Sequence, residues 1–494
     1  MNLINKLGMS IDMKNILLLN FIMRMLRILT GGIFTFFLLK FSTNIFSPVE
    51  IGEIDYANTI ILYISSIASL GINNYGIRET ALVSNNKERL SYSTIELLLV
   101  IFITTLIGYV VLFLMIYGFG FFSNIKTLLL IMSVNILLMN LGINWFYIGI
   151  EEQTFITIRF VIVRFVVAIL LLLLVHNEND FIIYVILYTS IEGGMGILNM
   201  LFLPKRINFG IDFRKLNLRK HIRPLLTIFV GSISIIIYNQ LNVVMLSNYY
   251  PDRVAFFSIP NQVIYFIVVL VTLLVPVLMP KVVQAINQRD YDVVDKYSVL
   301  SLQYILFFAL PIICYIMVMS KEITLMLSSD SFLDAQEPFK YFSVTILLVA
   351  LNNFFGLQIL YSYNKEKIYS LVIFVTLLIN IILNFLFIPV YRENGVVIST
   401  IFSEILKALV LYFYSRRFIK GVKLFSFKFL KYFIASSIML IPIFFISALE
   451  LKYTMELAIS FFIGSASYLL VLYLLKEELV SLCIQKIASF ISRF

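Results

Sequence analysis

Arg24, Arg27, Arg159 and Arg164 stand inside apolar runs long enough to cross a bilayer, where a cation is costly unless a polar cavity or a partner receives it. A guanidinium presents paired N–H donors that match the oxygens of a phosphate or carboxylate, so these residues point to capture of an anion at membrane depth. Arg24 and Arg27 are three apart and project within about 60° of each other on one helix face. Counted from Ile16, they lie roughly 12 and 17 Å from the cytoplasmic edge, too deep to snorkel out. Two readings stand for the pair: ligands of an anion in a cavity, or structural arginines bound to carbonyls or acids between helices. Arg159 and Arg164 differ by about 140° around their helix and are expected not to face one point. Arg164 is deeper and is the better cavity candidate. Arg159 is expected to reach headgroups or to pair with Glu151 or Glu152 at the cytoplasmic end. Lys40 reads as an interfacial anchor.

Two acids share the apolar segments with these cations. Glu192 has no partner within one helical turn, so pairing with an arginine of the first or fifth span and titration in ion coupling both remain open. Gly193, Gly194 and Gly196 beside it permit close helix approach. Glu404 has Lys407 three residues on and is expected to neutralise itself locally. Asn135, Asn140, Asn144, Asn380 and Asn384 are expected to hydrogen-bond between helices.

The elements that must hold these residues are membrane helices. The 494-residue chain is 61% hydrophobic and 13% charged, with a mean hydropathy of +0.97, against roughly 25% charged residues in soluble domains. About fourteen apolar segments of about 20 residues follow one another, beginning near Ile16, Tyr56, Tyr92, Thr127, Phe155, Phe181, Pro224, Val254, Ser298, Glu337, Ile368, Gly395, Lys428 and Thr454. An even number leaves both termini on one side, whose loops hold about 24 Lys and Arg against about 6 opposite, which places both termini in the cytoplasm. The first span follows no small-residue cleavage site and is expected to act as an uncleaved insertion signal. The formal charge of +10 reports topology and anionic-lipid contact rather than a nucleic-acid partner. Cys314 and Cys483 support neither a disulfide framework nor a metal cluster. His176 and His221 are expected on opposite sides of the membrane, in a short outer loop and in the basic linker, which speaks against an enzyme with an acid–base or metal centre.

The basic segment 204–223 is the one long break in the apolar pattern, and the sequence repeats across it. Ser47 to Gly52 and Tyr56 to Ile61 run parallel to Tyr250 to Ala255 and Ile259 to Ile264, with Pro48 matching Pro251 and Asn58 matching Asn261 at one constant offset. The expected fold is all-α: two pseudo-symmetric lobes of about six helices around a central cavity, followed by two extra helices, as in repeat-built transporters. The boundaries expected are an N-lobe at 1–203, the cytoplasmic linker at 204–223, a C-lobe at 224–417 and the last two spans at 418–475. Residues 476–494, apolar along Leu479, Cys483, Ile487 and Phe490, read as an interfacial amphipathic helix.

Five stretches carry a resemblance: Leu70-Gly-Ile-Asn-Asn-Tyr-Gly-Ile-Arg-Glu79, Trp145-Phe-Tyr-Ile-Gly-Ile-Glu-Glu152, Tyr238-Asn-Gln-Leu-Asn242, Asn380-Ile-Ile-Leu-Asn384 and Asn394-Gly-Val-Val-Ile-Ser-Thr-Ile-Phe-Ser-Glu404. In order and spacing they resemble the polysaccharide-transport branch of the MOP superfamily, the Wzx-type flippases of O-antigen and capsular repeat units, up to about Arg417. The resemblance implies a bacterial cytoplasmic-membrane protein that turns an undecaprenyl-pyrophosphate-linked oligosaccharide from the cytoplasmic to the outer leaflet, without cofactor and without catalysis. Its partners would be membrane lipids and the polymerase and chain-length proteins of the same pathway; proton and sodium coupling both remain open. On that reading Arg24, Arg27 and Arg164 hold the pyrophosphate, and Glu192, Asn242, Glu404 and Lys407 are polar cavity or coupling positions. Tyr63, Trp145 and Tyr238 would stack on sugars if they face inward. Members of this branch often have Asp where Asn242 stands, and a Lys is usual where Pro260-Asn-Gln262 stands. A cation-coupled multidrug exporter of the same fold is the alternative, disfavoured because the deep charges of the first lobe are mostly Arg.

Overall fold

The computed structural model describes residues 11–419, 421–422, 427–449, 451–478 and 480–481. Helices and their connections make up those residues, with no strand among them. Ten helices are long and apolar enough to cross a membrane, or up to twelve if each of two bent pairs is one span. Helix α16, Glu366–Ser415, is continuous only by hydrogen bonding, because Arg392 breaks it at φ 51° and ψ −129°. The expectation of about fourteen spans is compatible with this pattern. Large apolar side chains such as Leu82, Phe165, Phe445 and Phe462 stand exposed on the helix surfaces, which suits a chain whose solvent is lipid. The protein is a multi-pass membrane protein.

The chain divides into two compact units, Met1–Val244 and Met245–Phe494. The first unit holds α1 (Ile11–Ile45), α2 (Pro48–Ala68), α3 (Ile72–Val83), α4 (Lys87–Phe113), α5 (Lys126–Met132), α6 (Val134–Asn140), α7 (Asn144–Gly149), α8 (Gln153–Leu174), α9 (Phe181–Phe202) and most of α10 (Arg219–Tyr249). The expected boundary at 204–223 therefore shifts. Helix α10 begins inside the basic segment, and its Gln240 and the Ile237 carbonyl accept hydrogen bonds from Thr59 (3.2 Å) and Tyr63 (3.2 Å) of α2.

Local sequence explains the entry and the break of the second span. Ser47 and Glu50 form a capping box at the start of α2, with Pro48 in its first turn, which satisfies amide groups that a helix start leaves open. Leu70 (φ 48°) and Gly71 (φ 77°) then turn the chain into α3 at a bend of 43°. Glycine suits this point twice over, since a Cβ at Gly71 would meet the Phe229 amide nitrogen of α10 at 3.0 Å. In the second unit α11 (Val254–Val271) is likewise entered through Pro251, and it breaks at Thr272 and Leu273 before α12 (Leu274–Asn287). These breaks keep the offset of the prolines, so the repeat extends beyond the matched sequence.

The second unit continues with α13 (Tyr291–Leu327), α14 (Gln336–Phe342), α15 (Thr345–Asn353), α16, α17 (Phe427–Ser447) and α18 (Tyr453–Leu474). The last of these, α18, packs on α13 through polar anchors: Tyr315 donates to the Leu457 carbonyl at 2.8 Å and Tyr468 to the Phe307 carbonyl at 2.9 Å. The expected amphipathic helix at 476–494 and Cys483 lie largely or wholly outside the described residues.

Candidate functional site

The polar interior of the first unit is built where α9 meets the broken fourth span. A Cβ at Gly142 would approach the Gly196 Cα at 3.1 Å, and one at Gly196 would collide with the Leu138 carbonyl. The two backbones therefore meet without intervening side chains, as small residues allow in membranes. Asn199 of α9 ties the junction, donating to the Gly142 carbonyl and, at 3.2 Å, to the Asn144 side-chain carbonyl. Asn140 bridges further, accepting from Ser65 and donating to Thr105, each at 3.2 Å. Asn140 and Asn144 make interhelical bonds, as expected, whereas the buried Asn135 side-chain oxygen has no hydrogen-bond partner among the described residues.

Arg159 enters this junction rather than the headgroup layer. It is 4% exposed. Its Nη1 donates to the Met195 carbonyl at 3.2 Å and its Nη2 to Asn144 Oδ1 at 2.5 Å, beside the neighbouring rings of Tyr147 and Phe155. Glu152, expected as its partner, binds Arg206 at 2.8 Å instead. The close approach of α9 places a carbonyl and an amide oxygen where Arg159 would otherwise need a headgroup.

Arg164 reaches the same stretch of α9. Its Nη2 lies 3.5 Å from Glu192 Oε1 and its Nη1 3.5 Å from the Met195 sulfur, with its plane over the Phe160 ring at 3.5 Å. The two arginines of α8 thus converge on Met195, against the expectation from their angular separation. Long side chains close the gap, and they bind different atoms of one residue. Helix α1 lies alongside: the Thr157 hydroxyl donates to the Met23 carbonyl at 3.1 Å, and Phe34 stands 5.5 Å from the Arg164 guanidinium. Arg24 is exposed and Arg27 half-buried. Arg159 and Arg164 each lie within electrostatic reach of Arg27 and of Glu192.

Glu192 also lines a cavity of about 120 Å³, together with Ser65, Ser66, Ser69, Asn140 and Asn144. That is room for about four waters at ~30 Å³ each. The remaining sequence candidates are placed otherwise. Asn242 is buried in α10 at 8% exposure. Glu404 and Lys407 are buried in α16 and joined at 2.6 Å, and Asn352 of α15 donates to the other Glu404 oxygen at 2.6 Å. Asn384 donates to Asn380 at 3.2 Å and faces the Met245 sulfur at 3.5 Å. Trp145 is 1% exposed and packs on Gly76, which removes it from sugar stacking.

A second polar cluster was not anticipated. His221, expected to be unremarkable in the linker, is fully enclosed, with Tyr75 at 2.8 Å on Nδ1 and Glu96 at 2.9 Å on Nε2. Glu96 also binds Lys220 at 2.7 Å and the Asn217 amide at 2.7 Å. Its one signal in the sequence was a lone acid inside the third apolar run.

Comparison with known proteins follows this geometry. Residues 17–286 match the family described as polysaccharide biosynthesis protein, and residues 227–386 match the family described as MatE. No curated protein matches. In fold the chain is similar to a lipid II flippase, MurJ, in an inward closed conformation, at TM-score 0.66 and 19% identity, covering 94% of this chain and 100% of that one. It is also similar to an inward-facing multidrug-resistance MATE transporter of the MOP superfamily, at TM-score 0.59 and 14% identity over 81% and 96% of the two chains. A MOP superfamily transporter from Pyrococcus furiosus gives TM-score 0.50 and 15% identity over 81% and 93%. The fold is that of MOP superfamily flippases and transporters.

Proposed function

This chain belongs to the polysaccharide biosynthesis protein family, and from that premise we propose that it flips an undecaprenyl-pyrophosphate-linked oligosaccharide repeat unit from the cytoplasmic to the outer leaflet of a bacterial cytoplasmic membrane. The product would feed assembly of a surface polysaccharide, O-antigen or capsule. The protein works as a transporter by alternating access, with both termini in the cytoplasm.

The observation that carries this reading is the arginine excess in the first unit. Arg159 and Arg164 both lie in reach of Arg27, and Glu192 is the carboxylate that joins them. An interior of that sign favours a polyanionic head over a cationic drug. Arg24, Arg27 and Arg164 are the residues that would hold the pyrophosphate, Arg159 being shut away at 4% exposure with both Nη atoms bound to protein oxygens. The MatE match over residues 227–386 supports one rival, a cation-coupled drug exporter.

Deletion of the gene should abolish surface polysaccharide and leave lipid-linked repeat units inside the cell, and the wild-type chain should restore both. Arg24→Ala, Arg27→Ala and Arg164→Ala, at unchanged membrane abundance, should lower flipping. Normal polysaccharide export in the deletion strain sinks the proposal; drug sensitivity without a glycolipid phenotype transfers it to the exporter.

A further inference from the structure

Two intramembrane glutamates, Glu404 and Glu192, are held in opposite ways. Glu404 is clamped, with Lys407 on one oxygen and Asn352 on the other, both at 2.6 Å. Glu192 meets Arg164 only at 3.5 Å, and its side chain is 44% exposed, whereas charge-assisted pairs close to about 2.7–2.9 Å. A carboxylate at that distance is retained loosely.

The frame around it is rigid. Two glycines directly after Glu192 press the α9 backbone onto its neighbours: a Cβ at Gly193 would stand 2.8 Å from Leu138 Cδ1 and one at Gly194 3.3 Å from Val163 Cγ1. Freedom is left to the Glu192 side chain, which borders the cavity of Ser65, Ser66, Ser69, Asn140 and Asn144. The Ser65 and Ser69 hydroxyls already donate to Asn140 and to the Ser66 carbonyl, which leaves the Ser66 hydroxyl and the amide nitrogens of Asn140 and Asn144 to donate to a carboxylate that turns toward them. Arg164, for its part, keeps its place when the carboxylate leaves, because Phe160 stacks on its guanidinium at 3.5 Å and the Met195 sulfur receives one nitrogen.

We infer that Glu192 is a resident counter-ion: its carboxylate occupies the anion position on Arg164 in the empty protein, and an incoming diphosphate displaces it into the serine- and asparagine-lined cavity. This rests on the reading of the protein as a diphosphate-lipid flippase. The consequence is selectivity by charge. A ligand must outbid a carboxylate already in place, which a diphosphate, with several charges and a fork-matching set of oxygens, does and a singly charged anion does not. The exchange also leaves the arginine neutralised in both states, so an uncompensated cation is never exposed at membrane depth.

Titration of the purified full-length chain in nanodiscs with inorganic pyrophosphate, by calorimetry, tests the assignment. Glu192→Gln removes the competing charge and should tighten pyrophosphate about tenfold, an affinity gain of about 1.4 kcal/mol, and should let nitrate, a singly charged anion, bind where the wild type excludes it. Glu192→Ala is the second variant and should act in the same direction. Arg164→Ala should weaken binding in either background. Pyrophosphate binding that depends on Arg164 yet stays unchanged or weakens in both Glu192 variants overturns the counter-ion while sparing the functional reading. Absence of pyrophosphate binding in the wild type and in every variant overturns both.

Discussion

His221 Nε2 lies 2.9 Å from Glu96 Oε2 although 125 residues separate them, and neither side chain is open to solvent. A carboxylate only accepts, so Nε2 carries the proton and Nδ1 faces the Tyr75 hydroxyl. With Lys220 and the Asn217 amide on the same carboxylate, Glu96 docks the end of the basic segment onto α3 and α4.

Loss of that dock should be measurable as stability. His221→Ala takes a partner from the Tyr75 hydroxyl and one of the two donors from Glu96 Oε2, leaving Lys220 on that oxygen, and should cost about 1–3 kcal/mol. Glu96→Ala removes every partner at once and leaves buried polar groups unmatched, so about 3–5 kcal/mol is expected. Thermal unfolding of the detergent-solubilised protein, with limited proteolysis within 204–223, reads both effects. Unchanged melting in both variants would remove Glu96 from this role.

Asn144 is the side chain that lets Arg159 stay buried. Asn144→Ala should destabilise the first unit by about 1–3 kcal/mol, the cost of an unsatisfied charged donor. Asn144→Asp should be tolerated better, because it supplies a carboxylate to the same guanidinium. Equal melting temperatures for the two variants would show that Arg159 does not depend on this partner.

Gly196 and Gly194 should part company on substitution. A methyl at Gly196 would collide with the Leu138 backbone carbonyl, which cannot rotate aside, so Gly196→Ala should lose at least the 1–3 kcal/mol typical of overpacking, or about that. At Gly194 the nearest atom is a side-chain methyl of Val163 at 3.3 Å, so Gly194→Ala should express and melt nearly as the wild type does. Fluorescence-detected size exclusion after heating separates them, and equal retention contradicts the packing account.

Lys407→Met should be worse than the double change Lys407→Met with Glu404→Gln. The single variant takes the cation from a buried carboxylate that Asn352 also binds, at about 3–5 kcal/mol, whereas removing both charges spares that penalty. Should the double variant melt lower than the single, Glu404 would be holding something besides its lysine.

How much of this was legible beforehand differs from residue to residue. For Glu192 the sequence leaves open pairing with an arginine of the first or fifth span and titration in ion coupling, and the structure sets Arg164 beside it. The Glu404–Lys407 pair followed from spacing alone, because one helical turn brings the two together whatever surrounds them. From the sequence, Arg159 is expected to reach headgroups or to pair with Glu151 or Glu152, because it stands near the cytoplasmic end of its helix. Its ligands belong to α7 and α9, brought near by Gly142 and Gly196.

The sequence by itself determined that this chain is a helical membrane protein with an internal repeat and an arginine-rich interior. Hydropathy over a window of about 20 residues and helical spacing over one turn are local properties, and each is complete within a short stretch. Only the tertiary structure decided which cation is shut away and which still faces a cavity. It decided likewise that His221 is enclosed rather than solvated. Those outcomes depend on polar contacts between helices far apart in the chain, set by where glycines let two backbones touch.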